Sequence, residues 1–257
     1  ATFRLNNVGP WSANLWFEFV VRVAVSVISS GSATGISGDG VVQVGNQAFA
    51  DRYVMRLTDI AQIDDPRGHE VMQADIRDLD QMRRACEGME VVVHLAADPA
   101  PNADFSDSLL PLNIVGTYNV FSAAKEQGCQ RVVFASSIHA VLGYPREISA
   151  RSDMPVNPPN FYGVTKCFGE ALGRCFAHQG LSSLAIRIGA IRRQEDVDRH
   201  RKDSERPQGE GWISQRDLVQ LFQRCIDVEG VDFAIVHGVS RHRRSWMDLE
   251  VSRKVLG

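Results

Sequence analysis

Apolar residues in this chain come in short, nearly unbroken runs. Val21 to Ile28, Tyr53 to Leu57 and Val91-Val92-Val93-His94-Leu95 are three of them. Arg131-Val132-Val133-Phe134-Ala135, Ser183 to Ile188 and Phe233 to His237 are three more. A strand that is apolar on both faces must be covered on both, which is the condition of a parallel sheet flanked by helices. Between the runs the spacing becomes helical. Ser106 to Gln127 sets Leu109, Leu112, Val115, Val120 and Ala123 on one face and stops at Gly128. Asp78 to Cys86 follows an acidic start, and Asn160 to His178 stops near Gly180. Strands alternating with helices predict an α/β fold, a doubly wound parallel sheet of Rossmann type. We expect a single domain over residues 1–257, with a small C-terminal substrate-binding portion drawn mainly from residues 190–257.

Two stretches break the pattern. Trp16 to Ile28 is apolar but carries Glu18 and Arg22, too short and too charged for a membrane span. It lacks the basic leader and uninterrupted apolar core of a signal peptide, so it reads as a buried strand behind an irregular leader. Gln194 to Gly211 holds ten charged residues and little apolar content, a long loop of the mobile or functional kind.

Composition adds exclusions. The chain has 257 residues, enough for one substantial core. A net charge of −3 gives no reason to expect nucleic acid or an anionic membrane as partner. The five cysteines show no metal-ligand spacing and read as reduced thiols of a cytoplasmic protein.

After the first strand comes a run rich in small residues, Ser29 to Gly40, containing Gly31, Gly35, Gly38 and Gly40. A glycine turn between strand and helix lets backbone N–H groups approach a pyrophosphate at the helix N-terminus. A plain flexible connection would look similar. Asp59, at the end of the second strand, favours the functional reading. A carboxylate there accepts ribose hydroxyls and repels a 2′-phosphate, so NAD is expected rather than NADP. The register stays open. A turn opened by Thr34-Gly35 gives Gly35-x-x-Gly38 with Val41 at the third glycine position. One opened by Gly31 gives a better strand and stretched spacing.

Tyr162 and Lys166 stand four apart in a helical stretch, so both side chains share one face. A phenol of pKa ~10 is a poor base at neutral pH, and a nearby cation stabilises its phenolate. A half-buried Tyr beside a solvated Lys is the bland alternative. Upstream, Ser136-Ser137 falls at a strand's C-terminal end, the edge at which open α/β sheets bind ligands, although serine is also an ordinary turn residue. Glycine turn, acid, strand-end serines and Tyr-x-x-x-Lys come in an order that supports one site.

In these motifs the chain resembles the extended short-chain dehydrogenase/reductases, the NAD-dependent epimerase/dehydratase family. The resemblance is carried by Asp75-Ile76, His94 to Ala97, Asn113 to Asn119, Ser136-Ser137 and Tyr162 to Lys166. Within the family it is most similar to the uronate dehydrogenases, through Ala135 to His139, Tyr162 to Glu170, Arg187-Ile188-Gly189 and Trp212 to Leu218.

The resemblance implies roles. Tyr162 would be the acid/base, Lys166 would hold the nicotinamide ribose and tune Tyr162, and Ser137 would bind the reacting oxygen. Asn113 would sit behind the lysine. Gly35, Gly38, Asp59, Asp75, Ile76, Leu95, Ala96 and Ala97 would line NAD. His139 and Arg199 would contact the hydroxyls and carboxylate of a small carbohydrate substrate. Homo-oligomerisation is left open. Two departures stand out: Ile138 replaces an asparagine and Ala190 a serine, which implies weak or altered use of uronates. The family's short tail beyond Gly257 is not in this sequence.

Three readings remain open from sequence alone. The first is an NAD-dependent dehydrogenase oxidising a hydroxyl of a sugar acid or related carbohydrate. The others are a nucleotide-sugar epimerase or dehydratase and a non-catalytic NAD-binding module.

Overall fold

The computed structural model describes residues 23–28, 49, 52–63, 68–145, 147–192, 211–241 and 246–257. Gly35, Gly38, Val41 and Arg199, and with them the glycine loop and the charged loop, lie outside the described residues.

Among the described residues, the first half of the chain forms β1 (Val23–Ile28), β2 (Tyr53–Asp59), β3 (Glu70–Gln73), α1 (Leu79–Cys86) and β4 (Val91–His94). A wide π-type helix, Phe105–Gly116, then runs straight into α2 (Thr117–Glu126). There follow β5 (Arg131–Ser137), a 3-10 turn (Ile138–Ala140), α3 (Phe161–Ala177) and β6 (Ser182–Ile188). The remainder is β7 (Ala190–Arg192), β8 (Trp212–Ser214), α4 (Gln215–Asp227), β9 (Phe233–Gly238) and α5 (Glu250–Leu256).

Seven strands make one sheet in the order β3-β2-β1-β4-β5-β6-β9, with every pairing parallel. The order runs outward from β1 on one side and from β4 on the other, so a crevice opens between their C-terminal ends. There Ile28 O accepts hydrogen bonds from the N–H groups of Leu95 and Ala96, at 2.8 and 3.0 Å.

Alternation along each strand splits the apolar runs between two cores. Val91, Val93, Val133, Leu184 and Ile186 pack on one face with Leu218 and Phe222 of α4. Val92, Val132, Phe134 and Ala185 pack on the other with Val120 and Phe121 of α2 and Phe176 of α3. Full burial of each such side chain stabilises by roughly 1.5–3 kcal/mol, which is why the runs carry so few polar interruptions. The doubly wound parallel sheet expected from the sequence is the observed fold.

The helix starts fall where the caps put them. Asp78, Asn160 and Ser214 accept from the backbone N–H groups of Gln81, Gly163 and Asp217 at 3.0, 2.8 and 3.1 Å. The expected helix at 106–127 divides instead. Its first part has wide turns, as in the Leu109 N–H bond to Asp104 O, and contains Pro111. A proline ring clashes with the carbonyl four residues back, and a wider turn relieves that contact. β3 escapes the apolar reading because it is an exposed edge strand, Glu-Val-Met-Gln, held by its ladder to β2.

A third cluster sits over the C-terminal edge of the sheet. Val141, Ala150, Val239, Trp246 and Met247 are buried together, with Ile138 packed against them. Ala150 bridges to the C-terminal segment, donating to Trp246 O at 2.6 Å and accepting from Asp248 N–H at 2.9 Å. No described helix is long and apolar enough to cross a membrane.

Candidate active site

The site is built at the start of α3. Asn160 caps the helix, and Gly163 lets its first turn press against the 3-10 turn after β5. A Cβ at Gly163 would stand 2.5 Å from His139 O and 2.9 Å from Pro158 Cβ. That approach sets Tyr162 beside Ser137 and His139. The Tyr162 ring meets the His139 ring edge-on with centroids 5.3 Å apart, and Ser137 and Tyr162 line the same cavity.

Tyr162, Lys166 and Glu170 follow at intervals of four and are all buried, at 9%, 4% and 3% exposure. Lys166 Nζ donates to Ala135 O at 2.9 Å and lies 5.5 Å from the centre of the Tyr162 ring. Burial pulls the Lys166 ammonium down to about 8. It also pushes the Tyr162 phenol up to about 12, with the Asp98 charge adding to the rise and the nearby Ser137 hydroxyl opposing it. The protein by itself therefore holds Tyr162 as a neutral phenol.

Behind these groups lies a buried ion pair. Arg187 on β6 grips Glu170 through Nε and Nη2, each at 2.8 Å, and Ser136 Oγ donates to Glu170 Oε1 at 2.7 Å. Ser136 thus ties the end of β5 to α3, and with it the Ala135 carbonyl that receives Lys166.

A cavity of ≈ 260 Å³ opens in front of Tyr162. Ser136, Ser137, His139, Tyr162 and Lys166 are its polar residues, and Ile138, Ile188, Ala190 and Ile191 form an apolar wall. Leu95 and Ala97 border it from the crevice at β4. His139 is half-buried, which lowers its pKa, and its Nδ1 stands 3.0 Å from Asn160 Nδ2.

The other end of the crevice carries the carboxylates. Asp59 is 3% exposed at the end of β2, accepts from Ala61 N–H at 2.8 Å and passes its own carbonyl to Ala74 N–H at 2.8 Å. The Asp75 carboxyl is held below its usual range by hydrogen bonds from Arg77. Asn119 donates to the carbonyls of Ile76 and Arg77 at 2.9 and 3.0 Å, fixing the turn between them. A buried carboxylate at one strand end and a small apolar border at Leu95 and Ala97 fit a dinucleotide laid along this edge.

Asn113 is not hydrogen-bonded to Lys166. Its amide accepts from Asp98 N–H at 2.8 Å and donates to Asp98 O at 3.0 Å and Thr165 Oγ1 at 3.1 Å. It braces Thr165, the residue next to the lysine. The structure thus gathers Ser137, His139, Tyr162 and Lys166 at one cavity, with Leu95 and Ala97 at its border, Ala96 buried in the core beside them, and Asp59, Asp75 and Ile76 further along. Sequence reasoning missed Asn160, the Glu170–Arg187 pair and Asp98. Glu170 had a signal, since it extends the four-residue spacing of Tyr162 and Lys166.

Comparison with known proteins places these features in company. Residues 35–191 match the model of the NAD dependent epimerase/dehydratase family. The NAD-dependent glucose-6-phosphate dehydrogenase of Haloferax volcanii is 35% identical over 232 residues, covering 81% of this chain and 84% of that protein. The uronate dehydrogenase of Pseudomonas putida is 32% identical over 198 residues, covering 76% of this chain and 70% of that protein. Among solved structures, a variant of uronate dehydrogenase from Agrobacterium tumefaciens complexed with NAD superposes with a TM-score of 0.73. It is 26% identical, with 90% of this chain and 82% of that one covered.

Proposed function

The chain belongs to the NAD dependent epimerase/dehydratase family, and on that premise we propose that it oxidises a hydroxyl of a sugar or sugar acid, using NAD and Tyr162. The observation that carries the reading is Tyr162 and Lys166, one turn apart and buried, beside Ser137 at a cavity on the C-terminal edge of a parallel sheet. NAD, when bound, supplies the acceptor for the hydride leaving the carbon.

The remaining steps fall to the chain's own residues. Ser137 Oγ donates to the reacting oxygen and holds it against Tyr162. The proton of the substrate hydroxyl passes to the Tyr162 phenolate oxygen as the carbonyl forms. Burial alone keeps Tyr162 protonated, so the base form depends on Lys166, the nearest cation, whose ammonium also serves to bind ribose hydroxyls. Asp59 takes the adenosine ribose, Asp75 and Ile76 flank adenine, and Leu95 to Ala97 line the middle of the cofactor. Gly35 and Gly38 are assigned to the pyrophosphate and Arg199 to a substrate carboxylate on sequence alone. Asn113 braces the segment carrying Lys166.

We read the chain as one domain whose substrate-binding elements come mainly from residues 190–257. The cavity wall of Ala190 and Ile191 and the cluster around Trp246 support this. All five cysteines are free thiols, which supports a cytoplasmic location.

The test is to follow NADH formation with D-glucuronate, D-galacturonate, L-arabinose, D-glucose 6-phosphate and a set of polyols. Net NAD reduction with one of them is the expected result. Isomerisation of a nucleotide sugar without net NADH, or NAD binding with no turnover, would overturn the proposal.

A further inference from the structure

The cap of α3 has a second consequence, for His139. Asn160 Oδ1 accepts the Gly163 N–H at 2.8 Å. A backbone N–H can only donate, so the oxygen of this amide must face Gly163. The NH₂ side is then the one that stands 3.0 Å from His139 Nδ1. An amide NH₂ has no lone pair to offer, so Nδ1 has to accept, and a neutral imidazole carries its single proton on the other nitrogen.

We propose that Asn160 fixes His139 as the Nε2–H tautomer, so that His139 offers a neutral donor to a sugar hydroxyl oxygen beside the reacting carbon. The proposal rests on the reading of this cavity as a sugar site, and it makes Asn160 a positioning residue and His139 a specificity-determining one. The ring has little freedom to do otherwise. Its backbone N–H is bonded to Ser137 Oγ at 3.2 Å, its carbonyl lies under Gly163, and its edge meets the Tyr162 ring. It lines the cavity together with Tyr162, so a sugar whose hydroxyl reaches Tyr162 brings a neighbouring oxygen within range. Partial burial disfavours the imidazolium, which leaves a dipolar donor rather than a charge. Such a donor suits a hydroxyl oxygen, whereas a carboxylate is better met by a guanidinium.

Asn160→Asp separates the two jobs of this residue. Aspartate caps a helix as well as asparagine does, but it presents a carboxylate oxygen to Nδ1, where only a protonated nitrogen is satisfied. Long-range proton–nitrogen NMR on the ¹⁵N-labelled protein reads the ring directly, with His139→Gln assigning the signal. In the wild type Nδ1 should be the unprotonated nitrogen, and in Asn160→Asp it should carry a proton. On whichever panel sugar is turned over, Asn160→Asp should raise the KM for sugar about tenfold, the scale of one lost hydrogen bond, at unchanged KM for NAD. Asn160→Ser, which keeps a cap and removes the amide, should leave Nδ1 without a fixed state. A protonated Nδ1 in the wild type, or the same tautomer in Asn160→Asp, overturns the proposal. The expected tautomers with an unchanged sugar KM overturn its recognition half. Failure of every sugar to reduce NAD would sink the sugar site itself while the tautomer, read without substrate, still stood.

Discussion

Arg187 holds Glu170 through two hydrogen bonds of 2.8 Å, with the two side chains only 1% and 4% exposed. Deleting one partner of such a buried pair strands the other charge, which typically costs ~3–5 kcal/mol. Arg187→Met and Glu170→Met should each lose about that much in denaturant unfolding, while the double variant recovers a large part. Additive losses in the double variant would show that the pair is not the energetic unit.

The same network ties Ser136, and so the Ala135 carbonyl that receives Lys166, to α3. Little of it was legible in the sequence. The sheet was legible because strands covered on both faces leave long apolar runs, and Tyr162 and Lys166 were legible because helical spacing puts them on one face. Edge strand β3 was not, because its residues are held by a ladder rather than by burial. Nor was the role of Asn160, since a cap asparagine looks the same whether or not its amide meets a histidine. Asp98 was hidden for a similar reason. Its influence on Tyr162 arises from a turn braced by Asn113, fifteen residues further along.

Cofactor choice tests the carboxylate at the end of β2. Calorimetric titration should show tighter binding of NAD than of NADP, because Asp59 meets a 2′-phosphate with like charge. Asp59→Ser should narrow the gap by about tenfold or more. Equal affinities in the wild type would remove Asp59 from the ribose site.

The apolar wall predicts selectivity among sugars. Ile138 and Ala190 both line the cavity, at the positions where the uronate dehydrogenase resemblance implies asparagine and serine. Ile138→Asn with Ala190→Ser should raise kcat/KM on D-galacturonate or D-glucuronate relative to L-arabinose. Efficient uronate turnover by the parent chain would contradict the weight given to these two positions.

Acid should weaken the fold through a buried histidine. His237 donates from Nδ1 to Asp248 O at 2.8 Å, and burial lowers its pKa to about 4. Its unfolded value is near ~6.5, so the folded state binds fewer protons between the two. The stability it contributes is complete above ~6.5 and lost as the pH falls towards 4. His94, lowered by burial to about 3, adds in the same direction. His237→Asn keeps a donor for the Asp248 carbonyl and removes the titration, so its Tm should fall less than the wild type's between pH 7 and pH 4.5. Parallel Tm curves would exclude His237 as a cause.

The central claim is that Tyr162 is the proton acceptor. Tyr162→Phe keeps the ring packed against His139 and removes only the hydroxyl, so folding and calorimetric NAD affinity should be preserved. General base catalysis is worth ~10²- to ~10⁴-fold, and NADH formation on the best panel sugar should fall by that much or more. The wild-type rate should rise with pH as Tyr162 deprotonates, and the variant should lose that limb of the profile. The most direct measurement is the turnover number of Tyr162→Phe at saturating NAD and sugar: a fall of ~10²-fold or more is the predicted result, and undiminished turnover would contradict the account.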